Sequence, residues 1–208
     1  DEKFNLIQKL RPAILNEALA VHYQPLIDLS TGNICSVEAL VRWPQCDGTM
    51  IMPDKFIPLA ERSGLIIPLG QWVLEQACLF AAKQNSKGMH YLTVAVNLSF
   101  AQFTDGTLPH IVKCALDKAQ LAPEKLELEL TESILADSSG NIEKQLEEIK
   151  ALGVQFAIDD FGTGYSNLNY LRTFEARTLT IARHFTQFTS RILCIFRRRS
   201  STVSSKDK

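Results

Sequence analysis

The chain has 208 residues, 46% of them hydrophobic and 22% charged, with a formal net charge of −1. These are ordinary values for one globular domain or two small ones, and they exclude a polybasic binder of nucleic acid or membrane surfaces. The 5 cysteines include no C-x-x-C pair, which argues against a zinc ribbon or disulfide framework and for a reduced, cytoplasmic setting. No apolar run approaches the ~20 residues of a membrane helix, and no secretory signal is visible. The first residue is Asp1 rather than Met, so the expectation is a piece of a longer protein.

In chain order, FNLIQKLRPAILNEAL repeats apolar residues at helical spacing: Phe4, Ile7, Leu10, Ile14, Leu15 and Ala18. HYQPLIDL reads as a strand, and the turn Ser30-Thr31-Gly32-Asn33 joins it to ICSVEALVRW as a hairpin. From Pro53 to Lys83 the spacing predicts helix. YLTVAVNLS is β-rich, and HIVKCALDKAQL is an amphipathic helix. KLELELTES is a strand with Leu126, Leu128 and Leu130 on one face and Glu127 and Glu129 on the other. NIEKQLEEIKALG is a helix closed by Gly153, GVQFAIDD is the next strand, and TLTIARHF offers one more.

Strands alternating with helices of this length predict an α/β fold with a mainly parallel sheet. Polar residues gather at the strand ends where a (β/α)₈ barrel carries function: Glu38, Asn97, Glu129, Asp159 and Asp160. Each alone is most often a capping or turn residue. Together they form a hard-oxygen set suited to Mg²⁺ or Mn²⁺. The adjacent pair Asp159-Asp160 raises its own difficulty, because neighbours on a strand take opposite faces. Sharing one site requires that the strand end there and the chain bend, as Gly162 and Gly164 would permit.

Five motifs in order resemble EAL-domain cyclic di-GMP phosphodiesterases: YQP at Tyr23–Pro25, EALVRW from Glu38, VNLS at Val96–Ser99, ELTES at Glu129–Ser133 and DDFGTGYSNL at Asp159–Leu168. The resemblance implies a (β/α)₈ barrel with an antiparallel first strand and hydrolysis of cyclic di-GMP to pGpG with two Mg²⁺ or Mn²⁺ ions. It assigns Glu38, Asn97, Glu129 and Asp159 to one ion, with Asp159 bridging to a second that Asp160 also ligates. It gives Gln24, Leu40 and Arg42 to the dinucleotide, Arg42 at a phosphate, and lets Glu132 brace the loop after Asp160. It implies no DNA partner. A longer parent protein with sensor or GGDEF domains is compatible with it.

After Phe174 the pattern departs from the family. Where D-x-L-K-I-D is expected, the chain reads Arg177-Thr-Leu-Thr180-Ile-Ala182, with Thr180 in the place of the Lys. The remainder ends in Arg197-Arg-Arg199 and a serine run, without a βα pattern. Its two readings are a basic, disordered interaction tail and a C-terminus replaced by truncation or a frame slip, the second favoured. The expected organisation is therefore a helix or linker over 1–21, a partial EAL barrel over 22–174 and a divergent tail over 175–208. An incomplete barrel leaves open edges, which a homodimer would cover. The expected function is a weak or inactive cyclic di-GMP phosphodiesterase. The alternative is a non-catalytic EAL module that binds cyclic di-GMP or a protein partner.

Overall fold

Val37, Ala39, Val94, Val96, Leu126, Leu128, Leu130 and Phe156 alternate along four segments with polar or small residues. That alternation sorts the two sets to opposite faces of a sheet. The computed structural model describes residues 2–28, 30–89, 91–131, 134, 140–161 and 178–181. Its strands are β1 (Ala20–Ile27), β2 (Ile34–Pro44), β3 (Met50–Ile51), β4 (Thr93–Asn97), β5 (Leu126–Thr131), β6 (Gln155–Phe161) and β7 (Thr178–Ile181). Its helices are α1 (Glu2–Leu15), α2 (Pro53–Ser63), α3 (Ile66–Ser86), α4 (Leu108–Ala119) and α5 (Asn141–Ala151). Two 3₁₀ turns, Phe100–Phe103 and Pro123–Lys125, complete the described elements.

The sheet order is β1-β2-β4-β5-β6-β7, with the short β3 attached to β2. β1 and β2 form an antiparallel hairpin, and every later step from β2 to β7 is parallel. The fold is thus α/β with a mostly parallel sheet and a reversed first strand, open among the described residues. The strand expected at TLTI is present and pairs with β6.

Helices cover one face. Leu10 of α1, Phe56 of α2, Leu69, Leu74 and Ala81 of α3, Val112 of α4 and Ile149 of α5 pack with Leu126, Leu128 and Leu130 in one core. Burying each large aliphatic or aromatic side chain contributes roughly 1.5–3 kcal/mol, so this face dominates the stabilisation. α1 belongs to that core through Leu10, Ala13 and Ile14, although Phe4 and Leu15 at its ends stay exposed. The long helical stretch after Pro53 is two helices. Gly64 breaks it with a left-handed φ of 73°, a conformation that glycine adopts at little cost.

Tyr23 links β1 to this layer. Its ring stacks on Phe80 at 3.6 Å, and its hydroxyl donates to the Gln76 carbonyl at 3.1 Å. Burial, with the Cys78 thiol nearby, pushes the Tyr23 phenol up to about 12.

α3 and α4 are joined at the surface by Lys118, whose ammonium donates to Glu75 Oε2 at 2.7 Å. That bond holds the Glu75 carboxyl below its ordinary value of 4.5. A depressed folded-state pKa contributes stability above the ordinary value and loses it as acid protonates the folded group. Lys118→Ala should therefore lower stability near neutral pH, with the difference from the parent chain disappearing as pH falls through the lowered Glu75 pKa. Urea titrations of both chains across the acid range check this. A difference that persists unchanged into acid would contradict it.

Candidate active site

Register decides which residues meet. Glu38 of β2 is level with Ala95 of β4, and Asn97 lies two residues further along β4. Asn97 is level with Glu129 of β5, and Glu129 with Ala157 of β6. Asp159 lies two residues beyond Ala157, level with Thr131. All these offsets are even, so Glu38, Asn97, Glu129 and Asp159 share one parity, opposite to the core-facing Val94, Val96, Leu126 and Leu128. The set rises by two residues from β2 to β4, stays level from β4 to β5 and rises by two again from β5 to β6. An eight-stranded barrel of shear eight advances about one residue per strand, with the strands tilted to match. Glu38, expected at a strand end, stands mid-strand: β2 runs on to Pro44, although its pairing with β4 ends at Ala39.

The side chains follow this plan where they are described. Asn97 Nδ2 donates to Glu38 Oε1 at 2.9 Å, across 59 positions of sequence. Glu129 is buried, only 7% exposed. Gln24 stands directly opposite Glu38 in the β1–β2 hairpin, and both are half-buried. Leu40 and Arg42 continue the parity of Glu38 along β2. Arg42 Nη1 donates to the Val41 carbonyl at 2.8 Å. A cavity of about 230 Å³ beside them is lined by Leu40, Arg42 and Asn97, with Ile57, Leu69 and Gln102 behind.

For Asp159 and Asp160 the backbone is described and the side chains are not. β6 does not end at this pair but runs on to Phe161. Ile158 pairs with Leu179 and Phe161 with Ile181, so β6 spends one residue more than β7 between them. That extra residue breaks strict alternation where the two aspartates stand, as a bulge does. A bulge replaces the sharp end and bend expected from sequence. Thr180 is the one residue of β7 that faces the pair in register. Glu132 lies outside the described residues.

Among the described residues no three His, Cys, Asp or Glu side chains gather into a metal-binding group. Two carboxylates and an amide, those of Glu38, Glu129 and Asn97, are the described part of the expected set. As hard oxygen donors of one parity they fit a divalent cation of the Mg²⁺ type.

Sequence reasoning missed what fixes Asn97. Two residues on, the Ser99 hydroxyl donates to Glu61 Oε1 of α2 at 2.6 Å. Ser99 and Gln102 form a capping box around the 3₁₀ turn, the Gln102 side chain accepting from the Ser99 N–H at 2.9 Å. The buried Gln102 amide rests on Gly70 of α3 so closely that a Cβ there would collide with it. The S-x-x-Q spacing was the available signal.

Comparisons with known proteins identify the family. The EAL domain model matches residues 7–192. The chain belongs to the EAL domain family. It is 46% identical over 176 residues to y4lL of Sinorhizobium fredii, covering 85% of this chain and 21% of that protein. It is 42% identical over 187 residues to MucR of Pseudomonas aeruginosa, a bifunctional diguanylate cyclase/cyclic di-GMP phosphodiesterase, covering 88% of this chain and 27% of that one. Among solved structures, the PaMucR phosphodiesterase in complex with c-di-GMP superposes with a TM-score of 0.82 at 41% identity, covering 87% of this chain and 73% of the other. This EAL chain therefore spans about a fifth to a quarter of the length of these two relatives. The family is metal-dependent in general. Among the described residues no helix is long and apolar enough to cross a membrane.

The Gly70–Gln102 contact yields a test. Gly70→Ala should cost about 1–3 kcal/mol by overpacking. In a Gln102→Ala background the same substitution should cost much less. Denaturant titration of the four chains in this double-mutant cycle measures the coupling. Equal costs in both backgrounds would show that the two residues do not constrain each other.

Proposed function

We propose that this chain is a cyclic di-GMP-binding EAL module whose phosphodiesterase activity is weak. The single observation that carries the reading is the Asn97–Glu38 hydrogen bond at 2.9 Å, level with Glu129 on the next strand. It joins the EAL and VNL motifs into one oxygen-rich group in a chain whose similarity to a cyclic di-GMP complex is high.

In this reading Glu38, Asn97, Glu129 and Asp159 would hold one Mg²⁺ or Mn²⁺, and Asp160 would be a ligand of a second. Bound ions of this kind polarise a phosphoryl oxygen and lower the pKa of an attacking water. The chain's own residues do the rest. Asn97 Nδ2 donates to Glu38 Oε1, and half a turn of the amide would present Oδ1 to the cation instead. Gln24, opposite Glu38, and Arg42, at the cavity wall, orient the dinucleotide, with the guanidinium on a phosphate oxygen. Leu40 provides apolar contact, and Glu132 braces the loop after Asp160. The backbone register puts Thr180 opposite the aspartate pair. A hydroxyl there supplies no positive charge to the attacking water or the phosphate, where the family resemblance places a Lys. Losing one preorganised electrostatic group costs ~10²–10³ in rate. The proposed setting is the cytoplasm, within a longer signalling protein.

The reading makes two measurable claims. Calorimetry with Mn²⁺ should show weak binding near one ion per chain, abolished by Asn97→Ala or Glu129→Ala, and two tight sites would contradict it. With Mn²⁺ in excess, cyclic di-GMP should bind and be lost on Arg42→Ala, while pGpG release stays at least about 100-fold below that of the MucR phosphodiesterase domain. Robust pGpG release abolished by Glu38→Ala would overturn the claim of weak activity. Absence of cyclic di-GMP binding would overturn the reading altogether.

A further inference from the structure

On the exposed face of α4, two side chains offer a different chemistry. His110 and Cys114 are four residues apart, so they lie one above the other on the same face of the helix. Their reactive atoms already meet: Cys114 Sγ is 3.5 Å from His110 Nε2 and 4.0 Å from Nδ1. We propose that His110 and Cys114 form a bidentate surface site for a soft divalent cation, Zn²⁺ in particular.

The bite distance supports this chemistry. Zinc takes histidine nitrogen at about 2.0–2.1 Å and thiolate sulfur at about 2.3 Å, in tetrahedral geometry. Those lengths and a tetrahedral angle place the two donors roughly 3.5–3.6 Å apart. The observed 3.5 Å for Nε2 therefore needs no rearrangement of the helix. Helical spacing of four is the same device by which H-E-x-x-H sequences present two ligands on one face.

The surroundings suit a cation. Lys118, four residues beyond Cys114, is drawn to Glu75 at 2.7 Å, so its charge is paired. Asp117, three residues from Cys114, is exposed on the same side of the helix. No third His, Cys, Asp or Glu joins the pair among the described residues, so the proposed site has two protein ligands and water would complete the tetrahedron. Such a site is exchangeable rather than structural. Metal binding there releases the thiol proton and forms one Zn–S and one Zn–N bond, without any oxidant. The oxygen donors of the strand-end site favour Mg²⁺ or Mn²⁺ instead, so the two sites differ in the ion that they select.

The test uses Co²⁺ as a coloured probe and the whole, reduced chain. Titration should produce a thiolate-to-cobalt charge-transfer band that saturates at one ion per chain, and added Zn²⁺ should bleach it. Cys114→Ala should remove the band, and His110→Ala should weaken Co²⁺ affinity at least about tenfold. Both residues are exposed, so circular dichroism and the melting temperature should match the parent chain. Several results would overturn the proposal. They are no charge-transfer band in the parent chain, a band that survives Cys114→Ala and so reports another thiol, and unchanged affinity in His110→Ala, which would mean a lone thiolate.

Discussion

A side chain on a β-strand has two faces available, and a slip of one residue in pairing exchanges them. In this protein that constraint carries both the core and the site. One parity sends Val94, Val96, Leu126, Leu128 and Leu130 beneath the helices, all within 1% of complete burial. The other parity sends Glu38, Asn97 and Glu129 to the opposite face. Slipping β5 by one residue would bury Glu127 and Glu129 in the apolar layer and cost several kcal/mol for each carboxylate. The packing that stabilises the fold therefore also fixes the register of the site. The site residues need no strong attraction among themselves to stay in place.

Height along the barrel axis is set separately, by the stagger between strands and by the loops that leave them. The Asn97 loop is held through Ser99 to Glu61 and through Gln102 to Gly70. α2 and α3 thus hold this strand end through polar contacts as well as through the shared core of Val96 and Leu98. The absence of a side chain at Gly70 makes room for a buried amide, and that amide caps the turn following Asn97.

Much of this was legible in the sequence. Alternating Leu and Glu in LELEL gave the two faces of β5 directly, and the S-T-G-N turn gave the β1–β2 hairpin. The ordered motifs gave the family. Other features depend on pairing between strands, which local pattern does not encode. The extra residue of β6 opposite Thr180 is visible only once β7 is aligned. The break between α2 and α3 was blurred because apolar spacing continues across Gly64. The two-residue β3 and its pairing with Trp43 and Pro44 are too short to leave a periodic signal. The Ser99–Gln102 box did leave one, but within a motif whose asparagine drew the reading.

The central claim is that sheet stagger assembles Glu38, Asn97 and Glu129 into one cation site. Anomalous scattering from crystals of the chain soaked in Mn²⁺ tests it most directly. The account predicts a peak about 2.0–2.3 Å from Glu38, the Asn97 amide oxygen and Glu129. It also predicts that the Asn97 amide will have turned away from Glu38. A Mn²⁺ peak elsewhere, or an Asn97–Glu38 hydrogen bond unchanged in a saturated crystal, would contradict it.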